Sequence, residues 1–529
     1  MSQVKVLDCT LRDGGYCNNW CFGIDNIQAI LSGLSEAKLD YIECGYLSNK
    51  QHYEQDRTVF NSLDDLNSLL PTESTTTTFV AMINYGEYNL EDIPTLSEGK
   101  VDGLRIAFHK KDVEAAIDYC QAVKAKGYKL FVQPMVSLSY TDDEFLRLID
   151  AVNQIQPFAF YIVDSFGIMK RKDLIRLFYM VEHNLNDGIL IGYHSHNNMQ
   201  LAYSNAQTLA DINTNRTLIL DSSVYGMGRG AGNLNTELFV EHLNDINGSH
   251  YSVKPLLEII DKILSSFYQQ NRWGYSLPNY LSAKHNAHPN YASFLSEKNT
   301  LTYEAIDEIF ALMDEEKRNH FDKEYIELLY TKYLESGNVQ ESNLTELLAQ
   351  VQGREILLIA PGRSSLDERD KIEAFIKLNK PITISINFDY TGYLSDYIFI
   401  SNLRRYSSLK TNRIEKSIVT SNIPSVDSYA KIRYADFLNN QEAVQDNAGL
   451  MLVKFLMQAK AKKIYLAGMD GYSVDSTSNY ADGNLTMYTQ KAHAEAMNYG
   501  MTKVLSDFCR DIPIEFVTTP KFVFINQEK

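Results

Sequence analysis

Two short segments of the sequence carry residues that could bind a metal ion. The first, LDCTLRDGGY, brings Arg12 and Asp13 directly after an apolar run, and the second, GYHSHNN, contains His194 and His196. On an extended strand, positions i and i+2 point to the same side, so the two histidines would project together. One carboxylate oxygen and two imidazole nitrogens form a facial set that leaves positions open on an octahedral Mn²⁺, Mg²⁺, Co²⁺ or Fe²⁺. The alternative is that the histidines only pack or form hydrogen bonds.

These residues can act together only if one fold brings the two segments to the same place, and the apolar pattern predicts such a fold. Over residues 1–250, amphipathic stretches alternate with eight short apolar runs that we expect to be strands. The runs are Val4–Cys9, Asp40–Cys44, Thr78–Ile83, Gly103–Phe108, Lys129–Met135, Ala159–Asp164, Ile189–His194 and Leu218–Val224. The apolar face of the first helix would consist of Ile27, Ile30, Leu31 and Leu34. Eight such units predict a (β/α)8 TIM barrel, whose active sites lie at the C-terminal end of the strands. A doubly wound open sheet is the structural alternative.

The chain is too long for one hydrophobic core, so more than one domain is expected. We assign residues 1–250 to the barrel, 251–350 to a helical extension and 351–529 to a Rossmann-like α/β domain. In the extension, the proline-punctuated segment Trp273–Ala292 is predicted to be irregular. The predicted helices of the extension are Tyr303–Lys317 and Lys323–Leu334. The predicted strands of the last domain are Glu355–Ala360, Pro381–Asn387, Tyr397–Ser401 and Lys463–Ala467.

Composition excludes several classes of protein. A formal net charge of -17 argues against a nucleic-acid partner. No apolar run is long enough to span a membrane, and the first residues lack the basic and apolar regions of a signal peptide. Six scattered cysteines form no disulfide framework and fit a reducing compartment. We therefore expect a cytoplasmic protein with no membrane partner.

Three separated motifs resemble the DRE-TIM metallolyase superfamily, also called HMGL-like. They are LDCTLRDGG, YHSHNN and GMGRGAGNLNTE, they occur in the expected order, and they cover the first half of the chain. Within the superfamily the sequence looks most similar to 4-hydroxy-2-oxovalerate aldolases. The resemblance implies that Asp13, His194 and His196 bind a divalent ion, with Asn233 as a fourth ligand or near-ligand. Mn²⁺ or Mg²⁺ is expected first, Co²⁺ and Zn²⁺ are also possible, and the resemblance further implies a homodimer.

The resemblance also implies a reaction. It points to cleavage or formation of a 4-hydroxy-2-oxo acid from pyruvate and an aldehyde, with Arg12 stabilising an enolate oxygen and Glu43 lying near the metal. Such chemistry needs a Lewis acid and a fixed positive charge at the enolate oxygen, together with a base for the 4-hydroxyl group. An acyl-CoA-dependent lyase or synthase of the same superfamily is the alternative.

The sequence departs from the aldolase pattern at the general base. Where the aldolases have a histidine shortly after the Arg-Asp-Gly motif, this chain has Tyr16. Tyrosine, with an ordinary pKa near 10, is a poor base at neutral pH. Other candidates near strand ends are Tyr46, Tyr193, Tyr225 and His109, although packing or substrate contact is the simpler interpretation of each.

Three further polar residues end predicted strands and are candidates for the substrate pocket. They are Arg105 in GLRIAF, Gln133 in VQPM and Asp164 in YIVDSFG. In the superfamily such positions often line the pocket. A salt bridge inside the barrel explains Arg105 and Asp164 equally well.

The last domain offers a possible nucleotide site. LLIAPGRSSLDE follows a predicted strand and weakly resembles the start of sialyltransferase-like domains, as does the later IYLAGMDGY. Backbone amides of such a turn can hold a phosphate, so Gly362, Ser364, Ser365 and Asp470 are candidate contacts of a nucleotide or nucleotide sugar. An ordinary tight turn is the alternative. If the site is real, the whole chain would be a bifunctional enzyme of glycan biosynthesis.

Overall fold

The structure is a computed structural model, and its two compact units are considered one at a time. It describes residues 3–50, 53–71, 76–96, 101–248, 250–298, 301–335, 343–389, 395–423, 426–474, 479–481 and 491–522. The first unit consists of Met1–Phe294 and Met313–Phe321, and the second of Leu295–Leu312 and Asp322–Lys529. The helical region 251–350 thus contributes to both units. The three-part division from the sequence stays a prediction about which pieces fold alone.

The first unit contains the predicted TIM barrel. Its strands are β1 Gln3–Asp8, β2 Tyr41–Leu47, β3 Val59–Phe60, β4 Thr78–Asn84, β5 Val101–Phe108, β6 Lys129–Pro134, β7 Ala159–Asp164, β8 Leu190–Ser195 and β9 Thr217–Ser222. The order is β1-β9-β8-β7-β6-β5-β4-β2-β3, and an additional pairing of β1 with β2 closes the barrel. All of these pairings are parallel, and Leu7 and Asp8 of β1 pair with Tyr41 and Ile42 of β2 at the closure. The short strand β3 was not expected from the sequence.

The strands read as continuous apolar runs because both of their faces are buried. On β1, Leu7 belongs to the core inside the barrel, whereas Val6 belongs to the core between strands and helices. Neighbouring residues of a strand point to opposite faces, so a strand covered on both sides needs apolar residues at nearly every position. Polar residues on the inner face are therefore exceptional, and they include those considered below as a functional site.

Helices cover the outside of the barrel. Those of residues 3–248 are α1 Thr10–Asp13, α2 Ile24–Glu36, α3 Leu63–Asn67, α4 Val113–Ala125, α5 Asp142–Ile155, α6 Arg171–Asn184, α7 Ala202–Asp211 and α8 Thr236–Asn247. The predicted apolar face of α2 is confirmed, since Ile27, Ile30, Leu31 and Leu34 are all buried. Thr141 and Glu144 form a capping box that starts α5. Only the short 3-10 turn Leu90–Asp92 lies between β4 and β5 in the described residues.

The region after α8 is helical, as predicted, but two details of the prediction are wrong. Its helices are α9 Lys254–Ile259, α10 Ser265–Gln270, α11 Leu277–Lys284, α12 Pro289–Glu297, α13 Tyr303–Ala311, α14 Lys323–Glu335 and α15 Leu344–Val351. The segment Trp273–Ala292 contains α11 and the start of α12, because Pro278 and Pro289 lie in first helical turns, where the missing N–H costs no hydrogen bond. The helix predicted over Tyr303–Lys317 ends at Ala311, and Glu315–Lys317 forms a separate turn.

The second unit contains a separate parallel sheet, which confirms the predicted α/β class. Its strands are β10 Glu355–Ile359, β11 Ile382–Ile386, β12 Tyr397–Ile400, β13 Ser417–Thr420, β14 Ala430–Ile432, β15 Lys463–Ala467 and β16 Ile514–Phe516. The order is β14-β13-β12-β11-β10-β15-β16, so the strand order reverses between β10 and β15. The remaining helices are α16 Ser364–Asp367, α17 Arg369–Asn379, α18 Leu403–Tyr406, α19 Thr411–Ile414, α20 Ala448–Gln458 and α21 Lys491–Phe508. Among the described residues, no helix has the length and apolar character needed to cross a membrane.

Candidate metal centre

Asp13, His194 and His196 lie together at the C-terminal end of the barrel strands. Asp13 ends the helical turn α1 that follows β1, His194 belongs to β8, and His196 comes just after that strand. All three side chains are buried, and one ligand atom from each lies within 4.8 Å of the others. The two imidazole rings are nearly perpendicular, with centroids 5.3 Å apart. This is the convergence that the i and i+2 spacing on the strand predicts.

Several polar atoms in this cluster have no hydrogen-bond partner among the described residues. They include Nδ1 of His196 and Oδ1 of Asn233, both buried. His196 Nδ1 lies 3.7 Å from Oδ2 of Asp13, and Asn233 donates to the same oxygen at 2.7 Å. A buried polar atom without a partner is costly, and a cation bound between Asp13 and the histidines would satisfy Nδ1 of His196. The residues therefore fit a divalent metal, and the amide oxygen of Asn233 is available to join the three predicted ligands.

The imidazole of His194 is held by a residue that the sequence reasoning missed. Oδ2 of Asp221, on β9, lies 3.0 Å from Nδ1 of His194. This contact directs the Nδ1 proton to the carboxylate and leaves Nε2 free for a metal, an arrangement common at metal-binding histidines. Burial would raise the pKa of Asp221, but Arg105 and His194 hold it below its ordinary value. The signal in the sequence is an aspartate inside the apolar run TLILDS, where a buried charge needs a partner.

Arg12 lies beside the cluster with one nitrogen to spare. Its Nε donates to Oε2 of Glu43 at 2.7 Å, and its Nη1 donates to Oδ1 of Asp13 at 2.5 Å. Its Nη2 is buried and has no hydrogen-bond partner in the described part of the chain. Burial would raise the pKa of Asp13, but Arg12 and the two histidines hold it well below its usual range. Arg12 is thus a fixed guanidinium with a free donor next to an ionised carboxylate.

Comparison with known proteins agrees with this geometry. Residues 3–255 match the family model described as HMGL-like. These residues form an HMGL-like domain of the DRE-TIM metallolyase superfamily. The 4-hydroxy-2-oxovalerate aldolase of Geobacillus thermodenitrificans is 25% identical over 250 residues, which are 46% of this chain and 70% of that protein. The oxaloacetate decarboxylase of Mycobacterium tuberculosis is 24% identical over 286 residues, covering 51% and 79% respectively. Among solved structures, the N-terminal domain of a presumed aldolase from Bacteroides vulgatus is 27% identical, with a TM-score of 0.47, over 58% of this chain and all (100%) of that one.

The polar residues deeper in the HMGL-like domain form an ion-pair network. Nη1 of Arg105 lies 2.9 Å from Oε2 of Glu43, and Nη2 donates to the carboxylate of Asp221. Tyr161 donates to the other oxygen of Asp221 at 3.0 Å, and the amide oxygen of Gln133 faces the same guanidinium. Arg105 has no exposed surface. Arg105 and Gln133, considered above as pocket residues, are thus bound to one another and to the network.

Asp164 accepts hydrogen bonds from the backbone of the loop that follows it. Its two carboxylate oxygens accept the backbone N–H groups of Ile168 and Met169, each at 3.0 Å. Burial raises its pKa to about 6, although these hydrogen bonds oppose the shift. Asp164 therefore organises the loop that follows β7, at the same end of the barrel as the metal cluster.

The tyrosine found in place of the aldolase histidine is partly exposed and contacts a neighbour of Arg12. Tyr16 is 38% exposed, and its hydroxyl is 3.3 Å from that of Tyr46. The ring of Tyr46 in turn lies under the guanidinium of Arg12, 5.8 Å from the ring centroid. Burial raises the pKa of Tyr46 well above its ordinary value. Of the considered bases, this pair is the one tied to Arg12.

The other candidate bases have partners elsewhere. Tyr193 accepts a hydrogen bond from Asn205 at 3.2 Å, and burial raises its pKa well above the ordinary value. The ring of Tyr225 packs against Trp273, with centroids 5.7 Å apart. The ring of His109 lies against that of His320 in a tilted arrangement, with centroids 4.3 Å apart.

The glycine-rich loop of the HMGL-like domain lies directly on the metal cluster. A Cβ atom on Gly228 would come within 2.6 Å of Oδ2 of Asp13 and within 2.3 Å of Nδ2 of Asn233. Any side chain at this position would push the loop away from the predicted ligands. A glycine is therefore required here for close approach of the backbone, and this explains part of the motif GMGRGAGN.

In the second unit, the predicted nucleotide turn lies where the strand order reverses, the place at which open α/β sheets bind ligands. Asp470 accepts the backbone N–H of Ser364 at 2.7 Å and also the hydroxyl group of Ser364. The backbone N–H of Gly362 donates to Gly468 at 2.8 Å, and Ser365 donates its hydroxyl to Gly362 at 2.7 Å. The four predicted residues are thus brought together, and Asp470 already occupies the Ser364 amide that a phosphate could use.

Proposed function

We propose that the HMGL-like domain is a divalent-metal-dependent aldolase that cleaves or forms a 4-hydroxy-2-oxo acid, with pyruvate as one partner. The observation that supports the proposal is the buried set of Asp13, His194 and His196 beside a free nitrogen of Arg12. A divalent cation bound there would act as a Lewis acid on the keto group and lower the energy of the enolate. Mn²⁺ or Mg²⁺ is the ion we expect, with Co²⁺ and Zn²⁺ as further possibilities.

Arg12 would stabilise the negative charge that develops on the enolate oxygen. Its Nη2 is a charged donor held in a buried site, where such a donor acts more strongly than in water. Glu43 accepts Nε of Arg12 at 2.7 Å and so fixes the plane of the guanidinium. Asp221 would fix the tautomer and orientation of His194 through its contact with Nδ1.

Tyr16 would exchange the proton of the 4-hydroxyl group. In the direction of synthesis, the carbonyl oxygen of the aldehyde becomes an alkoxide, and a neutral phenol can protonate it. The reverse step would return that proton to the Tyr16 oxygen, whose neighbour is the hydroxyl of Tyr46. Synthesis would thus use the neutral phenol of Tyr16 as the acid, whereas cleavage would require its phenolate as the base.

The two named relatives act on substrates with shared chemistry. Cleavage of 4-hydroxy-2-oxovalerate and decarboxylation of oxaloacetate both release pyruvate through the same enolate. Oxaloacetate decarboxylation is therefore a second candidate activity for the same residues. It would need no proton exchange at a 4-hydroxyl group, so the hydroxyl pair of Tyr16 and Tyr46 favours the aldolase.

Pyruvate release separates these possibilities. We expect pyruvate from a panel of 4-hydroxy-2-oxo acids after addition of Mn²⁺ or Mg²⁺, and loss of that release with EDTA. Oxaloacetate is assayed beside the panel for the decarboxylase alternative. Release of free CoA from acetyl-CoA plus oxo acids is measured in parallel for the acyl-CoA alternative. His196→Ala should lose bound metal and activity, whereas His183→Ala, at a histidine whose side chain is 68% exposed, should lose neither. Metal-independent pyruvate release by the wild-type enzyme would contradict the proposal.

For the second unit, nucleotide or nucleotide-sugar binding at Gly362, Ser364, Ser365 and Asp470 stays a proposal. It is supported by the turn's location at the reversal of strand order. Calorimetric titration of CMP, UDP and their sugars into the whole protein tests it, with Gly362→Ala as the variant, since a Cβ there would lie 2.2 Å from the carbonyl oxygen of Gly468. No heat with any of these nucleotides would leave the turn a structural feature. Cytoplasmic location and a homodimer also stay predictions.

A further inference from the structure

Arg229 and His288 lie beside the proposed metal site and have no role in the function proposed above. Arg229 follows Gly228 in the glycine-rich loop, and His288 directly precedes α12. The charge of Arg229 is close enough to the metal cluster to act on both Asp13 and His196. Both side chains belong to the first unit, so they are part of the same body as the barrel.

Arg229 is held in position by contacts that, among the described residues, include no direct ion pair. Its Nη2 donates to the backbone oxygen of Ser165, in the loop after β7, at 3.2 Å. Its guanidinium lies over the ring of Tyr16, 5.3 Å from the centroid. Its Nε is buried without a hydrogen-bond partner, and no carboxylate of the described chain pairs with it. A fixed, half-buried guanidinium with a free donor is suited to an anionic ligand.

His288 presents a second donor at the same place. Its Nδ1 accepts the backbone N–H of Asn290 at 3.2 Å, so the proton of the neutral ring is on Nε2. Burial, Arg229 and the neighbouring histidines hold the pKa of His288 well below its ordinary value, so the ring is neutral at neutral pH. Nε2 lies 3.5 Å from Nη1 of Arg229. Two N–H groups at this distance cannot bond to each other, but they can share one acceptor oxygen.

The aromatic walls of this pair restrict what can enter. His288 packs against Phe166 and Phe321, with ring centroids 6.1 Å and 6.3 Å away. Tyr16 closes the side of Arg229. A ligand would thus meet two donors at one point and apolar rings around them, as suits the end of a short chain rather than a bulky group.

We propose that Arg229 and His288 bind an anionic tail, a carboxylate or a phosphate, on the aldehyde that adds to pyruvate. The inference rests on the proposed aldolase function and narrows its substrate class. In that function pyruvate is held by Arg12 and by the ion that Asp13, His194 and His196 would bind, so the donors of Arg229 are left for the other partner. The product would be a 4-hydroxy-2-oxo acid with a second acidic group at its far end.

Matched aldehydes test the inference on the whole protein. Succinic semialdehyde is compared with pentanal, and glycolaldehyde phosphate with glycolaldehyde, in Mn²⁺-dependent addition to pyruvate. A hydrogen bond to a charged group is worth about 1.5–3 kcal/mol, so kcat/KM should favour at least one acidic aldehyde by about 10- to 100-fold. The preferred pair identifies the tail as carboxylate or phosphate. Equal kcat/KM within both pairs would overturn the inference.

Variants assign the preference to these residues. Arg229→Gln should remove most of the preference by lowering kcat/KM for the acidic aldehyde far more than for its neutral partner. Lys111→Gln is the matched control, because Lys111 is an exposed cation near His109 and His320 that does not contact the pair. An equal fall for acidic and neutral aldehydes in Arg229→Gln would show that Arg229 serves pyruvate or the fold instead.

A reaction without aldehyde separates failure of the inference from failure of the proposed function. Exchange of the pyruvate methyl protons with D₂O, followed by NMR, needs the metal and the enolate but no acceptor. Exchange without any preference for acidic aldehydes overturns the inference and leaves the aldolase proposal standing. Absence of both exchange and addition removes the aldolase proposal and, with it, the anionic substrate.

Discussion

Oδ2 of Asp221 lies 3.0 Å from Nδ1 of His194 and also accepts a hydrogen bond from Arg105. Arg105 in turn pairs with Glu43, which holds Arg12. The side chains of these five residues are 0–5% exposed, so solvent has little access to the network. It joins the proposed enolate donor to a proposed metal ligand, and its members strengthen one another in low dielectric.

Asp221→Asn tests this network at its metal end. An amide cannot replace the charge that holds Arg105 and fixes His194, and loss of such a partner typically weakens metal binding by about 10- to 100-fold. Removing one partner from a buried ion pair costs about 3–5 kcal/mol, and we expect the lower end because Glu43 still pairs with Arg105. Metal titration and urea unfolding measure the two effects. Asp187→Asn, at a fully exposed side chain, is the control, and unchanged metal affinity in Asp221→Asn would mean that the contact does not tune the site.

Arg12→Lys tests the enolate donor. An ammonium group cannot reproduce the planar fork that spans Glu43 and Asp13 and still leaves one donor free. Loss of an oxyanion donor typically lowers kcat by about 10²–10³-fold. We therefore expect bound metal close to the wild-type level and a strong fall in kcat for pyruvate release. A normal kcat would remove Arg12 from the proposed mechanism.

The convergence of Asp13, His194 and His196 could be predicted from the sequence because a short-range pattern within each segment and the regular barrel topology determine it. His194 lies in β8 and His196 directly follows the end of that strand, and Asp13 follows another strand of the same barrel. The partners of these residues could not be predicted in the same way. Asp221 meets His194 because β9 pairs with β8, but it meets Arg105 of β5 across the barrel interior. Such contacts depend on the position of each residue along the axis of the closed barrel. The periodicity of the sequence does not determine that position.

Arg105 shows which part of a residue's environment the sequence pattern can predict and which part it cannot. Alternation along β5 puts Leu104 and Ile106 in the outer core and Arg105 on the inner face. That much follows from a period of two residues. Whether an inward arginine reaches the substrate or stays inside the barrel depends on register, and the pairing of Arg105 with Met82 and Phe131 puts it within the strand ladder. The sequence therefore left the ion pair and the pocket as equal alternatives.

In the second unit, β12 has only four residues but a wholly apolar run and was predicted, whereas β13, β14 and β16 were missed because they are short and less apolar. They contain only three or four residues each, too few for a periodic signal to separate them from loops. The longer runs of β10 and β15 were predicted almost to the residue. Short strands form because neighbouring strands supply their hydrogen bonds, and those neighbours are not adjacent in the sequence.

The lowered pKa of His109 predicts the direction in which the stability of the protein changes with pH. Burial and His320 lower its pKa to about 4 from an ordinary value of 6.5. Between these values the unfolded chain binds a proton that the folded chain does not, so stability from His109 is present above pH 6.5 and is lost as the pH falls toward 4. The difference in unfolding free energy between wild type and His109→Gln should therefore shrink between pH 7 and pH 5. A difference that grows over this range would reverse the assignment, and His183→Gln serves as the exposed control.

The last prediction concerns the residue at which a stable fragment of the second unit has to begin. Residues 351–529 hold the whole sheet, but Asp322–Lys529 is the continuous segment assigned to this unit. Tyr434 forms a hydrogen bond with Tyr330 of α14, and both are nearly buried, as are Ile326 and Leu347. Burying a large apolar side chain is worth about 1.5–3 kcal/mol, so a fragment of residues 322–529 should unfold at a clearly higher temperature than residues 351–529. Tyr330→Phe in the longer fragment should lower Tm only slightly, because it removes the hydrogen bond and keeps the apolar contact. Equal Tm values for the two fragments would show that α14 and α15 do not stabilise the sheet, and the boundary at residue 351 would then stand.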